Sequence, residues 1–134
     1  GMQAAGWGRI VAITSIAVKS PVPNLILSNS IRAGLTGALK TLSVEVGGSG
    51  VTVNTACPGY TRTERLDHLM EHNAELQGRP VEDIVAEFTA DVPVGRFATP
   101  DEFASLVTYL CSAQAASVNG VAFQVDGGSF KGLL

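Results

Sequence analysis

Three side chains near the start of this 134-residue chain have types and spacing that could support chemistry on an oxygen atom. Ser15 ends an apolar run that is typical of a strand, and Ser28 and Arg32 follow on the next helical segment, four positions apart. A serine hydroxyl can orient a substrate oxygen, and an arginine can bond hydroxyl groups while keeping its charge. For Ser28 the alternative is structural, as a helix N-cap or a surface residue of the first turn.

Two other sets of reactive side chains favour a structural interpretation. Glu64, His68 and His72 recur every four residues, so they share one helical face and could hold a metal ion. The sequence offers no further ligand, and we predict a solvated helix face without a metal. Cys57 and Cys111 stand alone in apolar surroundings, and we predict that both are reduced core residues.

The elements that must position these residues alternate between strand and helix. Apolar runs predict strands at 10–14, 51–57 and 121–125, the first buried on both faces. Helical periodicity predicts helices at about 24–46, 63–77 and 80–90, and a further helix after Thr99. This order predicts an α/β protein whose parallel sheet is covered by helices.

The helix predicted over 24–46 carries two neighbouring stripes. The apolar stripe consists of Leu27, Ile31, Leu35, Leu39, Leu42 and Val46. The stripe of small residues consists of Ala33, Gly34, Gly37, Ala38 and Thr41. Small side chains allow another backbone to approach closely, so we expect a homodimer through this helix or through the exposed edge of the first strand, which would lack a neighbouring strand.

Two helical segments farther along have clear local signals. The segment over 80–90 has an apolar face formed by Val81, Ile84, Val85 and Phe88. Thr99, Pro100 and Glu102 form a capping box with proline at the first helical position, so a helix is predicted to begin there.

Three motifs in order resemble those of the short-chain dehydrogenase/reductase family, in particular its 3-oxoacyl carrier protein reductase-like branch. They are Ser15 followed by Ser28-Asn-Ser-Ile-Arg32-Ala-Gly-Leu35, then Asn54-Thr-Ala-Cys-Pro-Gly59 through Thr63, then Gly95 to Glu102 with Asn119-Gly120 and Val125-Asp-Gly-Gly128. The family's catalytic serine matches Ser15. Its tyrosine falls on Ser28 and its lysine on Arg32, so both are replaced in this chain.

The resemblance implies an NAD(P)-dependent oxidoreductase that interconverts a carbonyl and a secondary alcohol. It implies catalytic roles for Ser15, Ser28 and Arg32, with Tyr60 as a substitute proton donor beside the cation Arg62, because an aliphatic hydroxyl is a weak acid. The cofactor contacts that it implies are Arg32, Pro58, Gly59, Thr61 and Thr63. The predicted helical region from about 63 to 91 would cover the substrate as a lid.

The resemblance also implies that this chain is the carboxyl-terminal part of a Rossmann-like doubly wound parallel sheet, with the amino-terminal nucleotide-binding half absent. The glycine-rich turn that holds a pyrophosphate is missing, and the cluster at 47–50 lies after a helix and before a strand. We therefore expect the isolated chain to bind NAD or NADP weakly and not to catalyse alone. The alternative is a non-catalytic relative that serves as a binding or oligomerisation module.

Length and composition predict one domain over 1–134, in which Gly1 before Met2 is interpreted as the remnant of a cleaved tag. The 46% hydrophobic and 16% charged content excludes a disordered chain. The net charge of -3 gives no footprint for nucleic acid. No leader and no long apolar run is evident in the sequence, so we expect a cytoplasmic protein that does not bind membranes.

Overall fold

The computed structural model describes residues 1–133, which form an α/β arrangement around a parallel sheet. The strands are β1 (Gly8–Ile13), β2 (Val51–Pro58) and β3 (Ala122–Val125), in the spatial order β1-β2-β3. The helices are α1 (Met2–Ala5), α2 (Ile26–Gly47), α3 (Glu64–Gln77), α4 (Val81–Thr89) and α5 (Pro100–Cys111), with single 3₁₀ turns at Ile16–Val18 and Ala113–Ala115. The predicted fold class is confirmed, whereas α1 was not predicted.

The central strand β2 holds the sheet core. Its residues 51–57 are all buried, and both neighbours pair with it in parallel. β1 was predicted to be buried on both faces, and this is wrong: most of its residues are half-buried and Ile13 is 58% exposed. The reason is its position, because β1 is an edge strand that pairs only with β2 among the described residues.

Helix α2 begins two residues later than predicted and leaves much of its apolar surface exposed. Asn24 has a left-handed backbone with φ 64°, so the helix cannot include it. The side chains of Leu27, Ile31 and Leu35 are 74%, 68% and 44% exposed, and Ser43 is the one buried residue of the helix. The amino-terminal half of the predicted stripe therefore faces outward.

The predicted lid forms its own hydrophobic cluster. The lid cluster consists of buried Leu66, Met70, Ala74, Ile84 and Phe97, with Val81, Val85 and Phe88 packed against it. This confirms the apolar face that the sequence predicted for the second lid helix. Thr63 caps α3, its hydroxyl accepting from Leu66 N at 3.4 Å, and Gly78 ends α3 in a left-handed conformation.

The capping box at the start of α5 is confirmed. The Glu102 backbone N–H donates to the Thr99 hydroxyl at 3.2 Å, and the Thr99 N–H donates to the Glu102 carboxylate at 2.8 Å. Arg96 also donates to Glu102, at 2.6 and 2.9 Å. The hydrogen bond from Arg96, aided by the Thr99 N–H, lowers the pKa of Glu102 from 4.5 to about 2.

Two asparagine side chains tie the sheet to its surroundings. The Asn119 amide accepts from Val53 N at 2.8 Å and donates to the Ser43 carbonyl at 2.9 Å, so it links β2 to α2. The Asn54 amide donates to the Val118 carbonyl at 2.8 Å and accepts from Val121 N at 3.1 Å. Together these four bonds fix the segment that leads into β3.

The two cysteines differ in burial, which corrects one prediction. Cys57 is fully buried and lies 3.2 Å from the Thr14 hydroxyl. Cys111 was also predicted to be a core residue, but it is exposed at the end of α5. α5 turns Phe103 and Leu110 inward, and Cys111 falls outside that buried face.

None of the helices in the described part of the chain has the length and apolar content needed to cross a membrane.

Candidate active site

The parallel sheet gathers the candidate residues at one edge. All three strands run in the same direction, so their carboxyl ends lie together, and ligands of open α/β sheets bind at that edge. Ser15 follows β1, Tyr60 follows β2 and Asp126 follows β3. This placement agrees with the sequence prediction for Ser15 and Tyr60, and it adds Asp126.

Ser15 is held with its hydroxyl proton available. Its backbone is extended, and its oxygen accepts a hydrogen bond from Ala17 N at 3.1 Å as the N-cap of the 3₁₀ turn. A hydroxyl can still donate one hydrogen bond while its oxygen accepts another. Ser15 can therefore donate to an oxygen atom of a substrate.

Arg32 links the start of α2 to the end of β1. Its Nη1 donates to the Thr14 carbonyl at 2.8 Å, and its Nε donates to the Ser28 hydroxyl at 3.1 Å. Ser28 lies in the first turn of α2 and is not the N-cap, which is Leu25. The predicted pair is thus in contact, and it sets a positive charge beside Ser15.

Tyr60 is clamped by its backbone and by two phenylalanines. Its ring packs edge-on against Phe88 and tilted against Phe97, with centroid distances of 5.4 and 5.9 Å. The Tyr60 carbonyl accepts from Ala98 N at 3.0 Å, and the residue remains 44% exposed. The ring therefore contacts the lid cluster while part of the residue stays exposed to solvent.

The predicted partner of the phenol, Arg62, is directed elsewhere. Its Nε forms an ion pair with Asp67 at 3.2 Å, in the first turn of α3. Both side chains are substantially exposed, so the pair is weak. The charge that was expected to support Tyr60 is instead shared with α3.

Four of the five predicted cofactor contacts line one cleft of about 240 Å³. These are Pro58, Gly59, Thr61 and Thr63, and the cleft also includes Tyr60, Arg65, Leu66 and Leu69. Arg32, the fifth, is not in this lining. Sequence reasoning missed Arg65, although a cation two residues after the Thr63 cap could have been noticed as a neighbour of the motif.

These residues provide only part of the contacts that a dinucleotide needs. The Thr61 hydroxyl oxygen is buried and has no hydrogen-bond partner in the described structure, so it is available to a polar ligand if the loop adjusts. Gly59 is required by packing, since a Cβ there would lie 2.8 Å from Asp126 Cα. Within residues 1–133 no glycine-rich turn joins a strand to a helix, so the described residues offer no turn of that kind for a pyrophosphate.

A second cleft of about 400 Å³ shares Tyr60 with the first. Its lining includes Ile16, the segment 20–23 and the segment 129–132. Lys131 contributes the one cation, and its Nζ donates to the Asp91 carbonyl at 3.2 Å. The lining is thus mainly apolar with hydroxyls at its edge, which suits a small organic molecule.

Asp126 holds the carboxyl-terminal wall of this second cleft. Its carboxylate accepts from Gly128 N at 3.0 Å, Phe130 N at 2.9 Å and the Ser129 hydroxyl at 3.2 Å. In the sequence, Asp126 stands out only as part of the Val125-Asp-Gly-Gly128 motif. The Asp-Gly-Gly turn signal could have identified it as the residue that folds the tail back.

The histidines of α3 take no part in this site. His68 Nδ1 lies 3.2 Å from Glu71 Oε2, and both side chains are exposed. In the part of the chain that the structure covers, no three metal-binding side chains come together. His72 is exposed on the same helix.

Comparison with known proteins identifies the family. Residues 2–129 match the family model described as enoyl-(acyl carrier protein) reductase. D-beta-hydroxybutyrate dehydrogenase of Rhizobium meliloti is 35% identical over 130 residues, which cover 95% of this chain and 50% of that protein. The 3-oxoacyl-[acyl-carrier-protein] reductase of Aquifex aeolicus is 32% identical over 124 residues, covering 92% of this chain and 46% of that protein.

Solved structures of similar proteins lead to the same family. A crystal structure of an actinorhodin polyketide ketoreductase with NADPH superposes with a TM-score of 0.88 and 35% identity, over 98% of this chain and 51% of that one. The chain spans about half the length of the relatives it matches. The three-stranded parallel sheet, the motifs and these matches lead to one conclusion: the chain belongs to the short-chain dehydrogenase/reductase family.

Proposed function

We propose that this chain forms the substrate side of an NAD(P)-dependent oxidoreductase that interconverts a carbonyl and a secondary alcohol. The observation that carries the proposal is the Arg32 guanidinium on the Thr14 carbonyl, which places a fixed cation next to Ser15 at the carboxyl edge of the sheet. A relative that shares this fold is a ketoreductase crystallised with NADPH.

Each side chain has a distinct part in this proposal. Ser15 donates a hydrogen bond to the substrate oxygen, and Ser28, already bonded to Arg32, helps to orient that oxygen. Arg32 offers its remaining N–H groups to the ribose hydroxyls. Tyr60 supplies the proton, because a phenol is a far better acid than a serine hydroxyl. The bound cofactor supplies the hydride.

We propose further that the isolated chain binds the dinucleotide weakly. Pyrophosphate recognition depends on backbone N–H groups at a helix start, and the described residues offer no such glycine-rich turn. The test is a titration of the purified chain with NADPH, followed by cofactor fluorescence. We expect no saturation in the micromolar range, and micromolar binding would show that the proposal is wrong. The full-length actinorhodin ketoreductase is the positive control.

Activity is tested by supplying the nucleotide-binding half of a family member in trans. If the chain is catalytic, the mixture reduces a carbonyl substrate, and Tyr60→Phe lowers the rate by about 10²-fold or more, as expected when a proton donor is lost. Ser28→Ala is the matched control, and it should cost less because the hydroxyl only orients. Equal losses in the two variants would assign no special role to Tyr60.

The alternative is a non-catalytic relative that acts as a binding or oligomerisation module. The hydrogen bond from Arg32 to Ser28 favours this alternative, because the side chains at the two replaced positions bind each other. No turnover with any supplied half is its expected result. Clear turnover in the mixture above would contradict it.

We also propose a homodimer in the cytoplasm. Support for the dimer comes from the exposed stripe of α2, where Gly34 and Gly37 have no atom within 4 Å of an added Cβ. Open space at these positions would allow a second helix to approach closely. Support for a reducing compartment comes from the two thiols Cys57 and Cys111, which are unpaired in the described structure.

A further inference from the structure

A third cleft, of about 190 Å³, lies between α2 and the β2–β3 side of the sheet, apart from the two clefts at the carboxyl edge. Its polar lining comprises Lys19, Thr36, Lys40, Asn54, Thr55 and the backbone of Gly120, and three aliphatic side chains complete it. The lining contains two cations and no carboxylate. A strand added to the open edge of β1 would not cover this cleft, because it lies at the other side of β2.

The Lys40 ammonium is held in place by the backbone. Its Nζ donates to the Gly120 carbonyl at 3.0 Å, which leaves two of its three N–H groups for other partners. Gly120 has φ 71°, and a Cβ there would lie 2.7 Å from Lys40 Nζ, so glycine gives the ammonium room to sit against the loop. Lys19 lines the same cleft and forms no ion pair in the described structure.

The floor of the cleft is rigid and contains a hydroxyl that no protein group uses. Asn54 is 2% exposed and is bonded at both ends of its amide, to Val118 and Val121. Thr55 is 4% exposed, and its hydroxyl makes no hydrogen bond to the residues that the structure describes. The Thr55 oxygen is not among the fully enclosed unpaired atoms, so an acceptor that enters the cleft can reach it.

Charge along the chain favours an anion at this place. Residues 1–63, which include α2, β1 and β2, carry five basic side chains and one acidic side chain, Glu45. Residues 64–134 carry four basic and eleven acidic side chains. Seven of the nine lining residues come from the basic segment 1–63, and a concave surface lined by cations concentrates the positive potential.

We propose that this cleft binds a small oxyanion of the phosphate class. Two ammonium groups and a hydroxyl donor can be engaged at once by a tetrahedral group with several acceptor oxygens, and the double negative charge of phosphate matches the two lysines. The volume is too small for a dinucleotide but admits a phosphoryl group. This site is independent of the proposed carbonyl reduction.

The test compares sodium phosphate with sodium chloride at equal ionic strength. Phosphate should raise the melting temperature beyond the chloride effect and shift the amide resonances of Gly120 and Thr55 on the unaltered chain. Lys40→Met and Lys19→Met should each weaken phosphate binding about tenfold, because each removes a charged donor. Lys131→Met, which removes the third lysine of the chain from a different cleft, is the charge-matched control.

The outcomes are distinct. Inorganic phosphate binding as tightly as glycerol 3-phosphate identifies the free ion, and tighter binding of glycerol 3-phosphate identifies a phosphomonoester. Either result supports the site. Equal effects of phosphate and chloride, unshifted Gly120 and Thr55 resonances, or an equal loss in Lys131→Met would overturn it. Thr55→Val, which keeps the side-chain shape, provides a second variant if a lysine variant does not fold.

Discussion

The lid and helix α2 have similar apolar patterns in sequence, yet the lid helices bury their apolar side chains whereas α2 leaves many of its own exposed. The lid helices α3 and α4 pack against each other, and Ile84 is 1% exposed within the lid cluster. α2 is longer than either, but its one buried residue is Ser43, and Ile26 and Ile31 are 77% and 68% exposed. The lid cluster is buried by contacts within the lid region and Phe97, whereas α2 leaves an apolar surface that no other described residue covers.

The difference shows where stability is intrinsic and where it depends on association. Contacts within the chain bury the apolar side chains of the lid, so the stability that they contribute should not change with protein concentration. In the proposed homodimer, burial of the α2 stripe requires a second copy of the chain, so it should depend on protein concentration. Four predictions test this contrast, in order of expected effect.

The largest effect is expected from a cavity in the lid cluster. Ile84→Ala should lower the free energy of unfolding by about 2–5 kcal/mol, because the side chain is fully enclosed. Urea unfolding at low protein concentration measures the loss. The control is Ile31→Ala on α2, which should change stability by less than about 0.5 kcal/mol under the same conditions. Comparable losses would remove the distinction between the two regions.

One contact of α2 should stabilise the chain without a partner, namely the link from Arg32 to the end of β1. Arg32→Met should cost about 1.5–3 kcal/mol, because it removes charged hydrogen bonds to the Thr14 carbonyl and the Ser28 hydroxyl. Arg79→Met in the lid should cost less than about 1 kcal/mol, since its pair with Glu87 is exposed. Chemical unfolding of both variants checks this, and a larger loss at Arg79 would refute it.

Charge on the α2 surface should weaken self-association. Ile31→Lys should raise the dimer dissociation constant about tenfold or more, corresponding to about 1.4 kcal/mol. Leu76→Lys on α3 is the matched control, because Leu76 is 72% exposed and belongs to the lid. Sedimentation equilibrium measures both. A wild-type chain that stays monomeric at high concentration, or equal effects of the two changes, would rule out α2 as the interface.

The smallest effect concerns Glu102, next to the lid. Its pKa falls from 4.5 to about 2 in the folded chain, so its charge stabilises the fold fully above pH 4.5, and the benefit is lost as the pH falls toward about 2. Glu102→Gln keeps the cap but removes the charge. The melting temperature of the wild type should exceed that of the variant at pH 6, and the difference should shrink steadily as the pH falls toward about 2. A difference that grows on acidification contradicts this account.

The parts of the fold with local signals were predictable from sequence. The α5 start depends on Thr99 and Glu102, which are three residues apart, and the lid face depends on the helical period of residues 81–88. The start of α2 was misplaced because Asn24 adopts a left-handed backbone, while Asn29 bonds back to Val22, seven residues earlier. Such reversals have no periodic signature.

The candidate site was predictable in its location and less so in its contacts. Strand order places Ser15 and Tyr60 at the same edge, and the motif alignment pairs Ser28 with Arg32. The bond from Arg32 to the Thr14 carbonyl spans eighteen positions. The packing of Tyr60 depends on how the lid folds over it. Long-range contacts of this kind require the tertiary structure, as does the exposure of Cys111.

The hydrogen bonds of Asn119 affect how readily this residue deamidates. An Asn-Gly peptide loses ammonia when the glycine nitrogen attacks the asparagine amide, but here the Gly120 N–H is bonded to the Val53 carbonyl at 2.8 Å and the Asn119 amide is held at both ends. The native state thus shields its own most labile bond. In chains that unfold repeatedly, water would open the resulting succinimide to aspartate or isoaspartate, and the acquired carboxylate would face the Ser43 carbonyl that the amide once satisfied.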